Sequence, residues 1–222
     1  FSIHKAKAML RISYPFIFAA IMTTIYGQTD KIMLKNMLSN EAVASYSVAL
    51  TLAGVISIVP AAVIEGFRPD IMTYKLSNEE LYKKRLRQLY AAIFWLCIAF
   101  CLFVTFFAKY IVLILYGEKY LAAIPVLSLV VWYTSFSYFG AVNSMYMVAE
   151  SKAGWVQVTT LVGMLLNICM NFILIPVMGA MGAALASLLT QIVANFILIA
   201  IVPQLRGCFR LIIGGIFLQK VF

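Results

Sequence analysis

Charge is what this 222-residue chain has least of: Asp, Glu, Lys and Arg make up 11% of it, and only 8 residues are acidic. A soluble domain carries about 25% charged residues. There is one histidine, His4, placed outside every apolar run, and there are 4 cysteines. Cys97, Cys101 and Cys169 lie inside apolar stretches, and no histidine or carboxylate neighbours Cys97 or Cys101. All are expected to be small buried hydrophobes, not metal ligands or disulfide partners. Neither G-x-x-x-x-G-K-[ST] nor G-x-G-x-x-G occurs, so nothing supports a nucleotide-driven pump. With no His/Cys/Glu cluster, no metal or other cofactor is expected. The chain opens on Phe1 and has no short apolar segment with a small-residue cleavage site. It is expected to be a piece of something longer.

What fills the space is hydrocarbon. Hydrophobic residues are 64% of the chain and the mean hydropathy is +0.99. Such a surface needs a solvent as apolar as itself, which makes this an integral membrane protein. Crossing about 30 Å of hydrocarbon takes about 20 helical residues. Uncharged runs of that length place spans at about 10–30, 42–66, 88–108 and 120–149. From Ala153 to Leu205 there is no charge at all. As one helix that run would be about 80 Å long, so it must fold back. Pro176 and Gly179 mark the turn, giving spans at about 153–176 and 180–203. The apolar scrap from Leu211 to Gln219 is too short to cross. Continuous runs, not alternating ones, argue against a β-barrel. The expected fold is an all-α, polytopic bundle of six transmembrane helices in one domain, 1–222.

Six spans put both ends on one side. Of the 17 Lys and Arg residues, only Lys31, Lys35, Lys109 and Lys119 fall on the other. The basic side is cytoplasmic by the positive-inside rule. The net charge of +9 then reflects topology and contact with membrane lipids, not nucleic-acid binding. The segment 75–88, KLSNEELYKKRLRQ, reads as an amphipathic cytoplasmic helix. Ser77 and Glu80 have capping-box spacing, and Glu79–Lys83 and Glu80–Lys84 are i,i+4 pairs.

Lipid cannot satisfy polar side chains, so those inside spans carry information. Span one closes on Thr23, Thr24, Tyr26, Gln28, Asp30 and Lys31. Either this end faces water or a partner helix, or Asp30 and Lys31 simply mark the membrane exit. Span five carries Gln157, Thr160, Asn167 and Asn171 on one face, suited to hydrogen bonds between helices or to a cavity wall. Span six carries Ser187, Thr190, Gln191 and Asn195, and its Gly179, Ala183 and Ser187 form a small-residue packing stripe. At the end of span two, Glu65 and Arg68 are either a snorkelling pair or an ion site.

Several blocks together carry a resemblance. Thr29-Asp30-Lys31-Ile32-Met33-Leu34 leaves a span, and the next opens Ala44-Ser45-Tyr46-Ser47. Then come Tyr116-Gly117-Glu118-Lys119-Tyr120, Asn167-x-x-x-Asn171-Phe172-Ile173-Leu174-Ile175-Pro176 and Gly179-x-x-Gly182-Ala183-Ala184. In order and spacing, over about residues 8–203, these resemble the second half of bacterial polysaccharide (O-antigen, Wzx-like) flippases. That family lies within the multidrug/oligosaccharidyl-lipid/polysaccharide exporter superfamily.

The resemblance implies one lobe of a two-lobe transporter in the bacterial cytoplasmic membrane, its N-terminal lobe missing here. It implies a carrier, not an enzyme, whose partner is an undecaprenyl-diphosphate-linked oligosaccharide. Spans one and two would line the cavity, making Tyr26, Gln28, Asp30, Lys31, Glu65 and Arg68 substrate-cavity candidates beside Asn167 and Asn171. The alternatives are an ion-coupled multidrug exporter half, or an intramembrane transferase. The topology is directly testable. A membrane-impermeant thiol reagent applied to intact cells should modify a single cysteine placed at Asn36 and spare one at Asn78; labelling of Asn78 would invert the arrangement.

Overall fold

The computed structural model describes residues 27–219. Among these there is no strand. Helix α1 covers 27–37, followed by α2 (Asn40–Ile56), α3 (Ile58–Ser77), α4 (Glu79–Tyr116), α5 (Ala123–Ala149) and α6 (Ala153–Met178). Helix α7 (Ala180–Ile192) runs through a π-helical turn (Val193–Ile197) into α8 (Leu198–Ile201), and α9 (Arg206–Ile216) closes the described chain.

Four stretches are long and apolar enough to cross a membrane: Glu79–Tyr116, Ala123–Ala149, Ala153–Met178 and Ala180–Ile201. The bent pair α2–α3 makes a fifth if it counts as one span. The span expected at about 10–30 lies almost wholly outside the described residues, as does His4. Large apolar side chains face outward, with Phe106, Ile114 and Val177 each exposed by more than three quarters. Water would penalise such a surface, whereas lipid is indifferent to it.

Span two is not the single straight helix expected over 42–66. It breaks at Ser57, with a bend of 43° between its halves. Proline explains the break. Pro60 has no N–H for the carbonyl of residue 56, and its ring crowds that carbonyl. Tyr138 of α5 supports the joint by donating to the Ser57 carbonyl at 3.1 Å.

The amphipathic segment 75–88 divides differently from the expectation. Asn78, not Ser77, caps α4, its Oδ1 accepting from the N–H groups of Glu80 and Leu81 at 3.0 Å. Ser77 instead ends α3, donating to the Thr73 carbonyl. Glu79 and Glu80 sit in the first turn of α4, where the helix dipole favours acid. Glu79–Lys83 forms at 2.6 Å; Glu80–Lys84 does not. From this cap α4 runs unbroken to Tyr116, so the part of the amphipathic segment from Glu79 onward and span three are one rod.

Pro176 lies inside α6, and the hairpin turn is made by Gly179 at φ +62. The α6–α7 hairpin then closes tightly. A Cβ on Gly182 would lie 2.2 Å from the Leu174 carbonyl oxygen, so only glycine fits. Two apolar clusters fill the bundle. One includes Leu34, Tyr46, Val112, Leu127 and Ile175. The other, towards the basic end, includes Ile71, Leu86, Tyr90, Ile199 and Ile212. Cys97, Cys101 and Cys208 are buried as expected, but Cys169 is exposed.

Gly182→Val should therefore lower the thermal midpoint in detergent by several degrees, through overpacking worth about 1–3 kcal/mol. Gly54→Ala, where a Cβ meets nothing within 4 Å, serves as the control and should leave the midpoint in place.

Candidate functional site

Between the two apolar clusters lies a compact group of polar side chains, centred on Asp30. Its Oδ2 accepts from the Tyr46 hydroxyl at 2.5 Å and from the Ser187 hydroxyl at 2.8 Å. Its Oδ1 accepts from the Asn171 amide at 2.6 Å. Asn171 also donates to Asn167 Oδ1 at 3.1 Å, and Asn167 donates to Ser187 Oγ at 3.1 Å. Four elements contribute: α1, α2, α6 and α7.

The local sequence explains the convergence. Asn167 and Asn171 are four apart and share the face of α6 that meets α7. The close α6–α7 contact set by Gly182 brings Ser187 against them. Tyr46, Asn167, Asn171 and Ser187 are all buried, and Asp30 is half-buried.

The electrostatics are one-sided. All three donors to the carboxylate are neutral, and among the described residues no Lys or Arg forms an ion pair with Asp30. Hydrogen bonds to a charged group are each worth about 1.5–3 kcal/mol. They hold the carboxylate in place without cancelling its charge. Asn171 Oδ1 is buried and has no hydrogen-bond partner among the described residues. Asn171 turns its amide nitrogen, not this oxygen, to Asp30, so the carboxylate itself is the group that could meet a hard monovalent cation or a proton.

A second chain of hydrogen bonds lies nearer the basic end. Tyr90 donates to Asn143 Oδ1 at 2.7 Å, and Asn143 donates to the Asn195 carbonyl at 3.0 Å. Asn195, on the π-helical turn, donates to Gln191 Oε1 at 2.6 Å. This chain is neutral throughout and ties α4, α5 and the end of α7 together.

Of the residues singled out in the sequence, Asp30, Asn167 and Asn171 come together here. Gln28 is exposed on α1, and Lys31 is half-buried beside Asp30 in the chain. Glu65 and Arg68 are exposed and bound to each other, through two contacts of 2.7 Å from Nε and Nη2. They form a salt bridge on α3 and, among the described residues, make no hydrogen bond or ion pair with the Asp30 group. Tyr26 lies outside the described residues.

Two members were missed. Ser187 belongs by spacing to a packing stripe and to the polar residues of span six, and its hydroxyl binds Asp30. Tyr46 was visible only as one aromatic among the small residues Ala44, Ser45 and Ser47. A buried tyrosine hydroxyl at the depth of an acid is the signal that could have found it.

A family model described as polysaccharide biosynthesis protein matches residues 1–125, more than half of the chain and including Asp30 and Tyr46. No curated protein and no solved structure matches it. Apolar helices in series and this family point the same way, to a multi-pass membrane protein of transporter or flippase type. The chain belongs to the polysaccharide biosynthesis protein family.

Proposed function

We propose that this protein carries an undecaprenyl-diphosphate-linked oligosaccharide from the inner to the outer leaflet of the bacterial cytoplasmic membrane. In this reading the chain contributes six spans, both ends cytoplasmic, to one lobe of a two-lobe carrier. A sugar–diphosphate head cannot cross hydrocarbon unaided, whereas its lipid tail can remain in the bilayer. No nucleotide motif is present in the sequence, so the work comes from gradients or the membrane potential. That potential favours an anion leaving a negative interior by about 2.3 kcal/mol per charge per 100 mV.

One observation carries the coupling side of this reading: a carboxylate inside the bundle, held by three neutral donors from three other helices. A cation or proton arriving at Asp30 removes a charge whose hydrogen bonds fasten α1 to α2, α6 and α7. Its binding energy is thereby linked to helix arrangement, which is what an ion-driven carrier requires. Lys31, adjacent to Asp30, is the cation best placed to meet the diphosphate at the outer end. Arg68 is a weaker candidate, because Glu65 already occupies two of its nitrogens.

The complete gene product, reconstituted in liposomes with a fluorescent lipid-linked oligosaccharide, provides the test. Asp30→Asn should cut flipping at least tenfold and remove any response to an imposed Na+ or H+ gradient, with the two gradients applied separately to identify the ion. Lys31→Gln should cut flipping while leaving the gradient response intact. Parental flipping and gradient dependence in Asp30→Asn would overturn the coupling role.

A further inference from the structure

Beneath the Asp30 group, between α5, α6 and the end of α7, is a cavity of about 180 Å³. At roughly 30 Å³ per water it has room for about six. Its position along the chain puts it in the half of the bundle nearest the α5–α6 turn. Thr160 and Gly163 lie within the first three turns of α6, and Ser144 within the last two of α5. The wall is about half polar, through Ser144, Thr160, Gln191 and Asn195, half apolar, through residues such as Met147 and Ile199, and carries no charge. The hydroxyls of Ser144 and Thr160 donate back to the carbonyls of Gly140 and Val156. Their oxygens therefore remain as acceptors for something that donates hydrogen bonds or carries positive charge.

Two buried polar atoms extend this wall towards Asp30. Thr190 is fully buried, and among the described residues neither its Oγ1 nor Asn171 Oδ1 has a protein partner. Thr190 lies one turn from Ser187 along α7, and Asn171 one turn from Asn167 along α6. Polar atoms buried in this way are satisfied by ordered water. Between the cavity and these atoms stands Gly163. A Cβ there would lie 3.6 Å from Ala194 Cβ and 3.7 Å from Thr190 Cγ2. A methyl group at Gly163 therefore fits in ordinary contact, whereas a larger side chain would press on Ala194 and Thr190. From Gly163 to Asn171 is eight residues of α6, about 12 Å.

We propose that this cavity is the cytoplasmic inlet through which water and a small monovalent cation reach Asp30, with Gly163 and Thr190 forming its neck. The inference rests on the cation reading of Asp30 given above and adds a route and a side to it. A neutral, acceptor-rich wall is what such a route needs. It hydrates a cation in transit, yet offers no fixed charge to trap it before Asp30.

The test uses the complete protein in oriented membrane vesicles with Na+ as the probe. First, Ser144→Cys and Thr160→Cys, each in a Cys169→Ser background, are treated with a membrane-impermeant thiol reagent from either side. Both should react from the cytoplasmic side and not from the other. Second, modification of Asp30 by a lipid-soluble carbodiimide is followed by mass spectrometry. Na+ added on the cytoplasmic side should protect Asp30 in the parent and in Gly163→Ala. In Gly163→Leu that protection should need at least tenfold more Na+. Thr190→Val, which removes the hydroxyl at nearly constant volume, should shift it in the same direction. Thiols unreactive from the cytoplasmic side, or parental protection in both Gly163→Leu and Thr190→Val, would sink the inlet. Loss of Na+ protection from both sides in the parent is a different failure: it overturns the cation reading of Asp30 and the inlet with it.

Discussion

Hydrocarbon offers no hydrogen bonds, and that single fact organises this bundle. Apolar side chains are free to face outward, because lipid accepts them as readily as a protein interior does. Polar side chains have no such freedom and must find one another. The result inverts a soluble protein. The exposed surface is rich in Phe, Ile and Val, and polar contacts between helices are made by Asp30, Tyr46, Asn167, Asn171 and Ser187 at one level and by Tyr90, Asn143 and Asn195 at another, among others such as Tyr138 with Ser57. Apolar packing in the two clusters fills space, whereas the polar groups set which helix meets which, and at what register.

The same constraint gives Asp30 its chemical character. A basic partner would turn it into a structural ion pair. Three neutral donors hold its geometry, and among the described residues no Lys or Arg pairs with its charge. The exposed Glu65–Arg68 pair is the contrast: both charges are satisfied locally, within one turn of one helix, and nothing elsewhere in the bundle depends on them.

Most of the helical layout was legible because a span is a long, simple signal, and continuous apolar runs cannot be confused with the alternation of a membrane strand. The turn at Gly179 was legible for a similar reason, since a 53-residue uncharged run must fold back. The break at Ser57 was not drawn from the sequence, although Pro60 was there to suggest it; hydropathy averages over a proline. The cap of α4 was misplaced by one residue because Ser77 and Asn78 are both good caps, and only the end of α3 decides between them. At the site, Asn167 and Asn171 showed themselves by their four-residue spacing on one helix. Tyr46 and Ser187 did not, because their partner is 16 residues away in one case and 157 in the other. Contacts of that range depend on how helices pack, which periodicity along one helix does not encode.

The contact at Gly182 has a mechanical consequence. It locks α6 and α7 into a single stiff piece, so the separation of Asn167, Asn171 and Ser187 is fixed by backbone touching backbone. Asp30 and Tyr46 come from the other direction, on α1 and on the upper half of a span with a joint at Ser57. The polar group is therefore a clasp between a stator and a jointed arm.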